Sequence, residues 1–360
     1  MAYLTWSVLV FSVRRTAVGF VGVLLILGLA GCGGGEESDQ ATAGSQSDQK
    51  ITVYSGRSED LVQPLLDQFS KETGIEVEGR YGNTAQLAAQ LLEEGEKSPA
   101  DLFFAQDAGA LGAVTKAGMF APLPSSATEL VPEQYRASND AWIGVTARSR
   151  VLAYNPDLVA KADLPTSVHE LTEPEWKGKI GVAPTNASFQ AFVTAIRVQD
   201  GEDKAREFLA GLKANEPAIR DGNAPILEEI NHGKIAVGLI NHYYVGELAK
   251  EKGVSPDSLN AKLYFFPNGD PGALVNVAGV GVLKNAADDP DAQAFVDYLL
   301  DQKAQSYFAE QTYEYPVVDG VTGPSGVPAL DELDGPKIDL NDLDSLEQTI
   351  TFIKESGLTP

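Results

Sequence analysis

Cysteine is nearly absent from this chain of 360 residues, and Cys32 alone forms no disulfide within the chain and no cysteine-rich metal site. Basic residues are scarce as well: 27 Lys and Arg stand against 51 Asp and Glu, for a net charge of −24. Phosphate binding needs clustered Lys and Arg, so this balance argues against a nucleic acid partner. It suits a protein handed cations more readily than polyanions. No Walker A loop, Gly-x-Ser-x-Gly elbow or His-Glu-x-x-His motif occurs, so nothing specific supports an enzyme. No repeat of solenoid period is found. What remains is an ordinary globular composition, 43% hydrophobic and 22% charged, long enough for two domains.

The N-terminus reads as an address rather than as part of the fold. Arg14 and Arg15 precede an apolar and glycine run from Ala17 to Ala30, too short to span a bilayer comfortably. The run ends in Leu29-Ala30-Gly31-Cys32, which resembles the lipobox of bacterial lipoproteins, with Cys32 the acylated first residue of the mature chain. An ordinary signal peptide followed by a chance cysteine is the alternative. Losing residues 1–31, which carry two Arg and no acid, takes the charge from −24 to −26. Residues 32–49 are Gly-, Ser-, Gln- and acid-rich, and read as a lipidated cysteine on a flexible tether.

From Lys50 onward, short apolar runs alternate with amphipathic stretches. Strands are predicted at Ile51–Tyr54, Ile75–Tyr81, Asp101–Ala105, Gly144–Tyr154, Gly181–Ala183, Ile235–Ile240 and Val275–Leu283. Helices are predicted after Ser58 up to Gly74, over Thr84–Glu96 and Ala108–Ala117, from Asn186, from an Asn223 cap to Asn231, over Asp291–Gln311 and over Leu343–Lys354. Their alternation implies an α/β chain with a mostly parallel sheet.

The sharpest chemical signal is Tyr243-Tyr244, just past an apolar strand. Ligands of open α/β sheets sit at the carboxyl ends of strands, and a phenolate is a hard donor suited to a trivalent cation. Two packing tyrosines are the other reading of the same pair. His169 and His232 carry no pattern, and His242 should point away from a site that Tyr243 faces.

The chain resembles the periplasmic ferric-ion-binding proteins, the receptors of iron(III) ABC importers, from about Lys50 to Val318. The markers are Ile51-Thr-Val-Tyr-Ser-Gly-Arg57, Ser98-Pro-Ala-Asp101, Trp142-Ile-Gly-Val145, Pro184-Thr-Asn-Ala-Ser-Phe189 and Asn241-His-Tyr-Tyr244. The resemblance implies a two-lobed periplasmic-binding-protein fold with a central cleft and two crossover hinge strands. Lobe 1 would comprise 50–148 plus 274–324, and lobe 2 would comprise 149–273 plus 325–360.

It also implies Fe3+ as transported ligand, with Tyr243, Tyr244 and Tyr154 as tyrosinate ligands. Where relatives supply a histidine or tyrosine, this chain has Ser58 and Glu59, which makes Glu59 the candidate fourth ligand. Some relatives use a glutamate where Gln106 stands. A synergistic anion such as carbonate would meet Asn186, Ala187, Ser188, Asn223 and Asn241, with Arg57 as a bidentate holder. Equally, the asparagines merely cap helices, Glu59 is an exposed first-turn acid and Arg57 sits in an ion pair. The implied partners are an ABC permease and, through the lipid anchor, the membrane, with the receptor itself a monomer. A receptor of the same architecture for a polyamine, thiamine or an oxyanion is the first alternative; a secreted hydrolase is the second.

Overall fold

The computed structural model describes residues 47–359, all within one compact unit. Cys32, the signal segment 1–31 and most of the tether lie outside the described residues. The expected tether ends earlier than Gln49. Ser47 Oγ and the Gln49 N–H both donate to the Asp291 carboxylate, at 3.0 and 2.9 Å.

The first half of the chain follows its periodicity. It runs β1 (Lys50–Ser55), α1 (Glu59–Thr73), β2 (Glu76–Tyr81), α2 (Thr84–Glu94), β3 (Leu102–Ala105), α3 (Ala108–Lys116), the short α4 (Ser125–Thr128) and β4 (Ile143–Tyr154). In α1, Val62, Leu65, Leu66 and Phe69 form the buried stripe, and Gly74 ends the helix at φ 79°. Next come β5 (Ile180–Val182), α5 (Ala187–Asp200), α6 (Glu202–Ala214), β6 (Ala218–Ile219), α7 (Asn223–Asn231), β7 (Val237–Asn241) and α8 (Tyr244–Lys252). The chain closes with β8 (Lys262–Tyr264), β9 (Val275–Val282), α9 (Pro290–Leu299), α10 (Gln302–Tyr307), β10 (Tyr315–Pro316) and α11 (Leu346–Glu355).

The strand order is β2-β1-β3-β9-β4-β7-β5-β6, with β8 and β10 also paired to β4. The two flanks are parallel, as expected: β1 with β2 and β3, and β5 with β6 and β7. The centre is not, because β9 and β4 run antiparallel to each other and to their outer neighbours. The sheet is therefore mixed.

β4 carries the organisation. All twelve of its residues are buried. Ile143 to Ser149 pairs with β9, whereas Arg150 to Tyr154 pairs with β7. The change of partner falls between Ser149 and Arg150, and there the Arg150 N–H donates to the Leu274 carbonyl at 2.8 Å. Because β3 runs with β4 and β7 runs against it, the carboxyl ends of β3 and β7 point toward one zone beside this switch, the usual place for a ligand in α/β sheets.

Three helix expectations are corrected. The helix predicted over Asp291–Gln311 is broken: Asp301 caps a new start by accepting from Ala304 N–H, and Phe308–Thr312 then forms a π-turn ending at Tyr313, φ 58°. Asn223 is the first residue of α7 rather than its cap; Gly222 holds the cap position, which frees the Asn223 amide for other contacts. The last helix starts at Leu346, after a tight turn over Leu340–Asp344. Among the described residues, no helix is long and apolar enough to cross a membrane.

Candidate metal site

β7 ends at Asn241, and a single turn, His242-Tyr243, leads into α8. Tyr243 already has helical dihedrals, φ −65° and ψ −23°. This compact turn stacks the Tyr243 and Tyr244 rings at 4.4 Å with 26° between their planes. Tyr243 is buried and Tyr244 half-buried. His242 fixes the turn from behind. Its Nδ1 accepts the Ser149 N–H at 3.2 Å, its Nε2 lies 3.0 Å from the Tyr313 carbonyl, and its ring stacks on Tyr315. Its ring also meets the Tyr243 ring edge-on, with 6.0 Å between centroids, because the segment is a helical turn and not the extended stretch in which His242 would point away. Gly246 is required one turn later, because a Cβ there would lie 2.3 Å from the Tyr313 ring.

Beside the pair lies a buried ion pair. Arg57 Nη2 donates to Glu314 at 2.6 Å, and both side chains are almost fully buried. Glu314 also accepts from the Thr146 and Thr312 hydroxyls, each at 3.1 Å. The loop after β1 thus brings Arg57 to the pair, but Glu314 already answers its charge. This is the ion-pair arrangement of Arg57, and its Nε remains buried without a hydrogen-bond partner among the described residues.

A second polar network continues toward α5. Asn186 caps that helix and accepts the Ser188 N–H at 3.0 Å and, at 3.4 Å, the Asn223 amide. The Asn241 amide donates to Ser188 Oγ at 2.9 Å, as does Gln106 from the end of β3 at 3.3 Å. Arg150 donates to Asn241 Oδ1 at 3.2 Å and to the Leu239 carbonyl at 2.8 Å, with a longer 3.5 Å contact to Asn223. The residues Asn186, Ser188, Asn223 and Asn241 are therefore gathered in one place, and the buried Ala187 opens α5 beside them. Arg148 is different: it is buried, and none of its three guanidinium nitrogens has a hydrogen-bond partner among the described residues. Asp107 Oδ2 is also buried without a partner there.

The electrostatics follow from burial. Burial pushes the Tyr243 phenol well above its ordinary value; Tyr244, Glu247 and Glu314 add to that, and Arg57 opposes it. This phenol stays protonated near neutral pH unless a strong cation arrives. Burial lowers Arg150 to about 9, against the pull of Tyr244 and Tyr243. Burial and the neighbouring Arg57 lower Arg148 too. Burial, then repulsion from Glu314, raises the Glu247 carboxyl to about 7, against Arg57 and Lys250.

Of two other expected ligands, Tyr154 lines a cavity together with His242 and Tyr243 but is set off along the strand from them, and Glu59 is not brought to the pair. The ladder pins Tyr154 opposite Val237, while Asn241 faces Arg150, so about 13 Å of strand separates Tyr154 from the β7 end that carries the tyrosines. Glu59 is exposed in the first turn of α1, where its charge acts on Tyr81. Sequence reasoning passed over Arg148, Arg150, Glu247 and Glu314. The Arg-x-Arg spacing was visible before Tyr154, but that two strand-borne arginines would be buried was not. Among the described residues, no group of three or more His, Cys, Asp or Glu could hold a metal, so the phenol oxygens are the donors that stand out.

The profile of the family described as "Bacterial extracellular solute-binding protein" matches residues 97–333. The "Fe(3+)-binding periplasmic protein" of Serratia marcescens is 38% identical over 316 residues, covering 87% of this chain and 92% of its own. The "Major ferric iron-binding protein" of Neisseria meningitidis is 32% identical, covering 88% and 96%. The crystal structure of iron-bound HitA from Pseudomonas aeruginosa superposes with a TM-score of 0.81 at 36% identity, covering 86% of this chain and 99% of that one. The mixed α/β fold is thus that of the periplasmic binding proteins, and the chain belongs to the bacterial extracellular solute-binding protein family.

Proposed function

We propose that this chain is an extracytoplasmic receptor, and not an enzyme, that captures iron(III) with the Tyr243 and Tyr244 phenolates and delivers it to an ABC importer. The observation that carries the reading is the stacked tyrosine pair, set where the carboxyl ends of β3 and β7 converge. Relatives with this fold and 32–38% identity are named for ferric iron. Phenolate is a hard donor matched to a hard trivalent ion. Only such a cation offsets the burial that keeps Tyr243 protonated, so iron uptake releases protons and affinity falls as pH falls.

The unbonded Arg148 and the Asn186–Ser188–Asn223–Asn241 network support a synergistic anion, carbonate or a similar oxyanion, completing the coordination. Iron(III) with two tyrosinates keeps one positive charge, and Arg148 and Arg150 add to it, so a dianion fits the balance. The partner change within β4 and the adjacent Leu274 contact support lobes at 50–148 with 274–324 and at 149–273 with 325–360. Metal between them would favour a closed form that a permease reads. Cys32 would hold this monomeric receptor to the membrane by its lipid.

The bare Arg148 also favours a second reading, a receptor for an oxyanion without metal. Elemental analysis of protein purified without chelator, with its absorption spectrum, separates the two. Iron near one equivalent and a visible phenolate-to-iron band are expected; a colourless, metal-free protein that binds phosphate or carbonate overturns the iron reading.

A further inference from the structure

We infer that Gly109 and Gly246 are the two seats on which the lobes close, each receiving a group from the opposite lobe. The inference rests on the lobe division proposed above and adds to it the contacts that decide how closely the lobes approach.

Most glycines that leave no room for a Cβ are hemmed in by their own lobe: Gly211 by Thr172, Gly238 by Ile226, Gly281 by Phe120. Gly109 and Gly246 are hemmed in from across the boundary. On α3 of lobe 1, a Cβ at Gly109 would lie 2.7 Å from the Leu343 carbonyl oxygen. On α8 of lobe 2, a Cβ at Gly246 would lie 2.3 Å from the Tyr313 ring. Both glycines fall in the first turns of helices that leave β3 and β7, the strands whose ends flank the tyrosine pair. There too the lobes meet directly, where Gln106 Nε2 donates to Ser188 Oγ at 3.3 Å.

Each incoming group is fastened to its own lobe. The tail just after Leu343 is tied to α5: Arg197 donates to the Ser345 carbonyl at 2.9 Å, and the Thr194 and Thr349 hydroxyls lie 2.7 Å apart. Tyr313 leads into β10, where Tyr315 pairs with Ala147 of β4. Tyr313 itself holds φ 58°, an outlier for an aromatic residue, so strained backbone sits where the ring enters its seat. A rigid group from one lobe thus presses on bare helix backbone of the other at two places, and only glycine admits so close an approach.

The test uses the full mature chain, with iron(III) held against citrate and small-angle scattering with and without iron. Forcing a methyl group into either seat should weaken iron retention by roughly 5- to 150-fold, the cost of overpacking a tight contact. Gly109→Ala and Gly246→Ala should therefore lose affinity and compaction while keeping the phenolate-to-iron band. Gly211→Ala, whose clash lies inside lobe 2, should lower the urea midpoint yet bind and compact like wild type. Tyr313→Gly suits the positive φ and empties the α8 seat, so Gly246→Ala combined with Tyr313→Gly should recover affinity and compaction. Seat variants that behave like Gly211→Ala, or a double variant that does not recover, overturn the inference while leaving the lobes standing. Iron that binds wild type without compaction overturns lobe closure and the seats with it. A wild type that takes up no iron overturns the iron reading, and the same variants are then compared with carbonate in place of iron.

Discussion

Acid should loosen the turn that carries the tyrosine pair, and His242 sets the size of the effect. The ring is buried, with Nδ1 accepting from Ser149 and Nε2 facing the Tyr313 carbonyl. A second proton would place an N–H on Nδ1 against the Ser149 N–H. Burial, with Arg148 adding and the Tyr313 carbonyl opposing, lowers this imidazole from 6.5 to about 3. The unfolded chain takes up a proton that the folded chain refuses. The contribution of His242 is therefore complete above pH 6.5 and is lost progressively as pH falls toward about 3. The loss is about 2 kcal/mol by about pH 5 and approaches about 5 kcal/mol at the lower end. Urea unfolding of the metal-free protein at about pH 7.5 and about pH 5 measures it, with His242→Gln as the reference, since an amide can still meet both neighbours. Wild type should lose about 2 kcal/mol more than the variant between these conditions. Equal losses in the two proteins would refute the buried, neutral histidine.

Two further outcomes follow from the same neighbourhood. Glu314→Ala leaves the buried Arg57 guanidinium unpaired and strips two threonine contacts, so urea unfolding should show a loss of about 3–5 kcal/mol; a loss under about 1 kcal/mol would mean that water reaches Arg57. If metal draws the two lobes together, small-angle scattering should show a smaller radius of gyration with iron(III) than without, and superimposable curves would count against closure.

The elements were legible wherever one local rule dominated. Periodicity marked β1, α1, α2 and α3, Gly74 marked a helix end, and Asn186 marked a cap. The break after Leu299 was hidden because Asp301 reads equally well as a surface acid within a long helix and as the cap of a new one. Asn223 looked like a cap, yet the preceding Gly222 takes that place and its amide joins Asn186 and Arg150 instead. The parallel flanks could be read from alternation, but the antiparallel centre could not, since β9 reaches β4 from far along the chain. At the site, Tyr243, Tyr244 and the asparagines stood out by motif. Glu247 and Glu314 did not, because their setting is made by a helix face and a π-turn that meet only in the folded chain.

The central claim is that two neighbouring phenolates bind ferric ion, and the double variant Tyr243→Phe with Tyr244→Phe tests it most directly. Both rings and their stack survive this change while both oxygens go. Loaded with iron(III) nitrilotriacetate, the wild-type protein should show a visible charge-transfer band and hold iron against citrate, and the variant should do neither. A variant that keeps the colour and the affinity would contradict the account.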